Sequence, residues 1–151
     1  MKILNLMKIL LLCVMTAGLV SCGDDNYYTM KNSDDKLCGK VWEETYLTTN
    51  KEGAEVQCCH QLKFVKGASG QEVWGYYREW ETRPYEVVTR YFSWKWTDDV
   101  MEGLELDYGA SNVVYFDNVW TRENYLSGRL NGKDVLFSIS KKGLLANTDK
   151  M

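Results

Sequence analysis

The chain has 151 residues and a formal net charge of −3, with 45% hydrophobic, 13% aromatic and 26% charged side chains. That length suits one domain, and so many apolar and aromatic side chains exclude a disordered chain. A mildly acidic balance without clustered Lys and Arg argues against nucleic acid as a partner and against electrostatic adhesion to anionic lipid.

The first element is a leader. Lys2 and Lys8 make a positive start, Ile9 to Val20 is apolar except for Thr16 and Gly18, and small Ser21 precedes Cys22. This arrangement over residues 1–21 is that of a secretory signal. The apolar run is about 12 residues, too short for a spanning helix, which needs roughly 20. The leader holds two of the 18 basic residues and none of the 21 acidic ones, so the mature chain is more acidic than the whole.

Leu19-Val20-Ser21-Cys22 resembles the bacterial lipobox. The resemblance implies that the Cys22 sulfur carries a diacylglycerol, that the leader is cut before it, and that palmitate-type chains acylate the new amine. More than one chain at one site meets the requirement for stable anchoring. Asp24 and Asp25 directly follow. They resemble the acidic signal that, in lipoproteins of the Bacteroidota, directs display on the outer face of the outer membrane. An ordinary solvated tether is the alternative, and the protein would then face the periplasm. Residues 22–36 are mostly polar and read as a flexible tether.

From Val41 on, apolar residues take alternate places between turn signals, which predicts strands. Val41–Leu47 is the first. Residues 49–57, "TNKEGAEVQ", read as a polar connection with room for one helical turn. Residues 59–65 alternate, and "KGASG" makes a glycine turn. Residues 72–80 put Trp74, Tyr76, Arg78 and Trp80 on one face, with Gly75-Tyr76-Tyr77 a natural bulge site. Pro84 ends that run. Residues 85–96 put Val88, Arg90, Phe92, Trp94 and Trp96 together. Leu104, Leu106 and Tyr108 alternate, and 113–116 is a short apolar strand. Asn131-Gly132 joins 124–130 to 133–140 as a type I′ hairpin turn. About eight strands with short connections predict an all-β, antiparallel up-and-down barrel over 37–141, with a frayed tail over 142–151.

"LCGKVWEETYL", "LKFVKGASG", "FSWKW" with "LELDY", and "NYLSGRLNGKDVLFSIS" resemble segments of small lipocalin-like lipoproteins. The resemblance spans roughly 37–140. It implies a small antiparallel barrel, in a family often without an assigned activity.

Chemistry is sparsely signalled. Cys38, Cys58 and Cys59 remain after the leader and the lipid site. Cys38 could pair with Cys58 or Cys59, or all three could be reduced and partly buried. Cys58-Cys59-His60 cannot converge on one metal ion, because successive strand residues point to opposite faces. Glu43 and Glu44 diverge for the same reason. Ser69 lacks the spacing of a nucleophile elbow, and no phosphate-cradling loop is present. These readings predict no catalysis, metal or cofactor.

The aromatic faces stand out. Trp74 and Tyr76 with Arg78, and Phe92, Trp94 and Trp96 with Arg90, are candidate ligand-binding residues, because pockets pair apolar walls with a few polar groups. The same aromatics would serve equally as barrel core. The function expected is therefore non-catalytic binding of a small apolar or glycan ligand by a lipid-anchored outer-membrane protein. The alternative is a filled barrel that docks to another envelope protein.

Overall fold

The computed structural model describes residues 31–79 and 81–145. The expected leader, the expected lipid site at Cys22, Trp80 and the end of the tail lie outside them. Eight strands close into one barrel in chain order: β1 (Val41–Thr49), β2 (Glu55–Val65), β3 (Ser69–Tyr77), β4 (Glu86–Trp96), β5 (Leu104–Asp107), β6 (Val113–Thr121), β7 (Tyr125–Leu130) and β8 (Lys133–Ile139). Every neighbouring pair is antiparallel. The all-β, lipocalin-like barrel read from the sequence is the observed fold.

The strands form where alternation places large side chains inward and polar ones outward. Trp42, Leu62, Phe64, Phe92, Trp94, Leu104, Leu106, Phe116, Val119, Leu126 and Phe137 fill one half of the interior. Their rings meet edge to face, as Phe64 does with Phe92 at 5.4 Å and with Trp94 at 5.8 Å. Such contacts add to plain area burial. Asn131 and Gly132 take φ 50° and 78°, the left-handed values a two-residue I′ turn demands.

A single helical turn, α1 (Asp34–Leu37), shuts the filled end. Ser33 caps it, and Leu37 is wholly buried among the core side chains. Trp42 Nε1 donates to the Leu37 carbonyl at 2.9 Å, and Trp96 Nε1 donates to Asp34 Oδ1 at 2.7 Å. Upstream, the Asn32 amide donates to the Met101 and Val119 carbonyls, while its oxygen accepts from the Thr121 amide and hydroxyl. Residues 32–36, read from sequence as the end of the tether, are thus stitched to the barrel. Alternation could not reveal this, because the stitches are made by polar side chains.

Other details also differ from the sequence reading. Residues 50–54 form a tight turn with Asn50 as its hub, so β2 starts at Glu55 and no helical turn intervenes. No register shift occurs at Gly75. The bulge lies in β6 between Asp117 and Trp120, and β6 runs on to Thr121. Gly75 instead makes room for the tail, since a Cβ there would stand 2.6 Å from Leu145 Cδ1. Leu144 and Leu145 pack with Cys59 and Val73 on the outer face of β2 and β3. Gln61 fastens them, donating to the Gly143 carbonyl and accepting from the Leu145 amide.

Candidate functional site

The end of the barrel opposite α1 carries the β1–β2, β3–β4, β5–β6 and β7–β8 connections. Here large apolar side chains give way to polar ones. Hairpin registry sets Glu44 opposite His60 and His60 opposite Trp74. Glu72 lies opposite Leu62 on one side and Arg90 on the other. All of these occupy the inward parity of their strands.

His60 is the centre of this layer. Its Nδ1 lies 3.0 Å from Glu44 Oε1 and its Nε2 lies 2.9 Å from Glu72 Oε2. Glu72 uses its other oxygen to accept from the Tyr108 hydroxyl at 2.9 Å. The imidazole stacks on Trp74 at 5.0 Å with planes 2° apart, and the Phe137 ring meets it edge-on at 5.3 Å. His60 is only 5% exposed and Glu72 only 3%. Burial pulls the His60 pKa down, but hydrogen bonds and charge from Glu44 and Glu72 outweigh it, and the net shift is upward. The imidazolium held between two carboxylates is therefore the favoured form. Burial, together with the charge and hydrogen bond of Glu72, pushes the Tyr108 phenol up, so it stays a donor.

Above this layer a cavity of about 220 Å³ opens at the barrel end. Its walls are Glu44, Tyr46, His60, Glu72, Trp74, Arg90, Tyr108, Val114, Leu130, Asn131, Lys133 and Val135. Arg90 places its guanidinium over the Trp74 and Tyr108 rings at 5.6 and 5.8 Å. Lys133 lies over the Tyr46 ring at 5.0 Å. Two larger depressions, of about 500 and 280 Å³, lie mostly against residues of outward parity on β1–β3, the β3–β4 connection and residues 142–145. Neither is lined by the His60 layer, so the mouth of the barrel is the candidate site.

Of the seven candidate binding residues, Trp74 and Arg90 line this cavity. Tyr76 is half-buried next to it, in register with Cys58 of β2, and burial raises its phenol pKa. Arg78 is displaced: β3 ends at Tyr77, and the exposed guanidinium stacks on Tyr85 at 4.4 Å, outside the barrel mouth. Phe92 and Trp94 are core, because their positions on β4 fall in the filled half. Trp96 packs at the α1 end. Long alternating strands put one face at two depths, and alternation alone does not say which depth is open.

The sequence reading missed Glu44, His60, Glu72 and Tyr108 as a group. A signal was present: Glu44 stands two residues after Trp42, and Glu72 two before Trp74, so both acids share the face of a tryptophan. Glu43 does point the other way, to Gln61 and Ser140 on the outer face. Cys38, Cys58 and Cys59 are all free thiols. Burial raises Cys38 to about 11 and Cys59 to about 12, and it raises Cys58 despite hydrogen bonds from Tyr46 and Tyr76. These are poor nucleophiles. Among the described residues no cluster of three His, Cys, Asp or Glu is arranged to hold a metal ion.

No model of a known protein family matches the chain, and neither a curated protein nor a solved structure is significantly similar to it.

Proposed function

We propose that the chain is a lipid-anchored envelope protein whose barrel mouth binds a small hydroxyl-bearing ligand, of the glycan kind, without transforming it. The observation that carries this reading is the buried Glu44–His60–Glu72–Tyr108 layer at the base of an open cavity. Burying ionisable groups is costly unless they are mutually satisfied, and a purely structural barrel would be filled more cheaply with apolar side chains. Aromatic walls with a few fixed polar groups are the usual composition of small-ligand sites. The cavity lies below the roughly 300 Å³ at which drug-sized pockets begin, so it suits a single sugar ring. Both nitrogens of His60 are occupied by carboxylates, which leaves neither to take a proton from a ligand. That favours binding over catalysis. The signal-like leader and lipobox-like Cys22 supply the membrane partner, at the cell surface or facing the periplasm.

A second reading, docking to another envelope protein, draws on the outer wall. Trp120, Ser127 and Leu136 are in register there, with Trp120 48% and Leu136 65% exposed.

The test is calorimetric titration of the full-length lipidated protein with a panel of neutral and charged monosaccharides and with an alkyl-chain probe. Saturable sugar binding that falls about tenfold or more in Trp74→Ala and in Glu44→Gln is expected. The variants should keep the wild-type circular dichroism. Binding of the alkyl probe alone, or of nothing, overturns the sugar reading, and crosslinks running through Trp120 would then favour docking. Incorporation of labelled palmitate that is lost in Cys22→Ala is the expected outcome for the anchor.

A further inference from the structure

Two cations at the mouth have no acidic partner among the described residues. Among the described residues, Arg90 and Lys133 take part in no ion pair and donate no side-chain hydrogen bond; each is held by aromatic rings alone. The acid opposite Arg90 in register is Glu72, and it is fully committed. One of its oxygens takes the His60 ring and the other takes the Tyr108 hydroxyl. Glu44 is half committed: Oε1 takes His60, and Oε2 has no donor among the described residues.

We infer that the mouth selects an anionic sugar, its charged group held by Arg90 and Lys133 and a ring hydroxyl donated to Glu44 Oε2. The inference rests on the sugar-binding reading above and adds a charge to the ligand. Ring contacts at exposed sites are weak, and they leave the N–H groups of both cations free to donate. An anion would convert those donors into charge-assisted hydrogen bonds, the strong class. Glu44 and Glu72 would repel the same anion if it came close. A sugar ring resolves the conflict, because it sets the charged substituent at the rim and turns a neutral hydroxyl toward the carboxylate layer. A bare anion meets the cations but satisfies nothing at Glu44. A neutral sugar meets Glu44 but leaves both cations to water.

The chemistry at the rim is shared by a carboxylate and a phosphate, and matched ligands separate them. The full-length lipidated protein is titrated with glucose, glucuronate, glucose 6-phosphate and inorganic phosphate. Glucuronate or glucose 6-phosphate should bind about tenfold or more tighter than glucose, with the tighter of the two naming the anion. In Arg90→Gln and Lys133→Gln that preference should fall to near one. Circular dichroism and the thermal midpoint identify any variant that misfolds, and the wild-type comparison stands without the variants. Equal binding of glucose and the charged sugars overturns the charge selection while the sugar site survives. Failure of every sugar to bind overturns both readings. Inorganic phosphate bound as tightly as glucose 6-phosphate overturns the proposal in favour of a simple anion patch.

Discussion

Single residues set the boundary between packed and open interior. Phe92 of β4 lies opposite Gly70 of β3, and the ring takes the space a side chain would need. A Cβ on Gly70 would stand 2.2 Å from Phe92 Cε2 and 2.9 Å from the Lys63 carbonyl oxygen. Neither neighbour can yield easily: the ring is wedged between Phe64 and Tyr108, and the carbonyl belongs to β2. Gly70→Ala should therefore destabilise the protein by about 1–3 kcal/mol, the usual range for overpacking a core. Denaturant unfolding would check it. Gly75→Ala is the control. Its new methyl crowds the flexible end of Leu145 at 2.6 Å and meets Tyr77 and Pro84 at ordinary contact distances of 3.4 and 3.6 Å, so the loss should be smaller.

Elements fixed from outside the barrel matter as much as the strands. The end of the described chain lies across β2 and β3, held by Gln61, which is itself bound to Glu43 and to the residues it secures. Leu144 and Leu145 cover Cys59, whose thiol burial keeps protonated, with a pKa near 12. Leu145→Asp puts a charge into this apolar contact and should lift the segment. Cys59 would then react with iodoacetamide or Ellman's reagent many times faster, while Cys58, on the inner face, would not. Equal rates in wild type and variant would show that the segment does not guard Cys59. At the other end, the Asn32 side chain ties the chain to β6 through three hydrogen bonds, with Val119 and Thr121, and to the β4–β5 connection through a fourth, to Met101.

For the whole molecule, the buried imidazolium makes stability depend on pH. The folded His60 pKa lies above its ordinary value of 6.5, because the two glutamates outweigh burial. The folded state therefore binds more protons than the unfolded chain above that value. Its contribution is fully present below about pH 6.5 and is lost as pH rises through the raised folded pKa. A second loss begins above about pH 8.5, where unfolded cysteines ionise while Cys38, Cys58 and Cys59 stay protonated in the fold. Thermal midpoints should thus fall as pH rises above 6.5, and more steeply above 8.5. In His60→Gln the first fall should vanish and the second remain. A flat midpoint from pH 6 to 8 in the wild type would contradict the imidazolium assignment.

What the sequence by itself determined is local. Alternation from Val41 to Ser140 marked the strands, and Asn131-Gly132 marked a hairpin, because side-chain period and turn conformation depend on adjacent residues. Eight such strands with short connections also fixed the barrel, since no other arrangement leaves so few open edges. The site was not legible in this way. Residues 49–57 read as a polar loop because Gln57 and Glu55 point outward and Ala54 ends a short turn, so the register that sets Glu44 against His60 stayed hidden. Only the tertiary structure decided that Glu44, His60, Glu72 and Tyr108, from β1, β2, β3 and the residue just after β5, meet in one buried layer. Closure also decided which aromatics are core and which are wall. Depth along a barrel depends on strand stagger and on what caps each end, and neither is encoded in the alternation of any one strand.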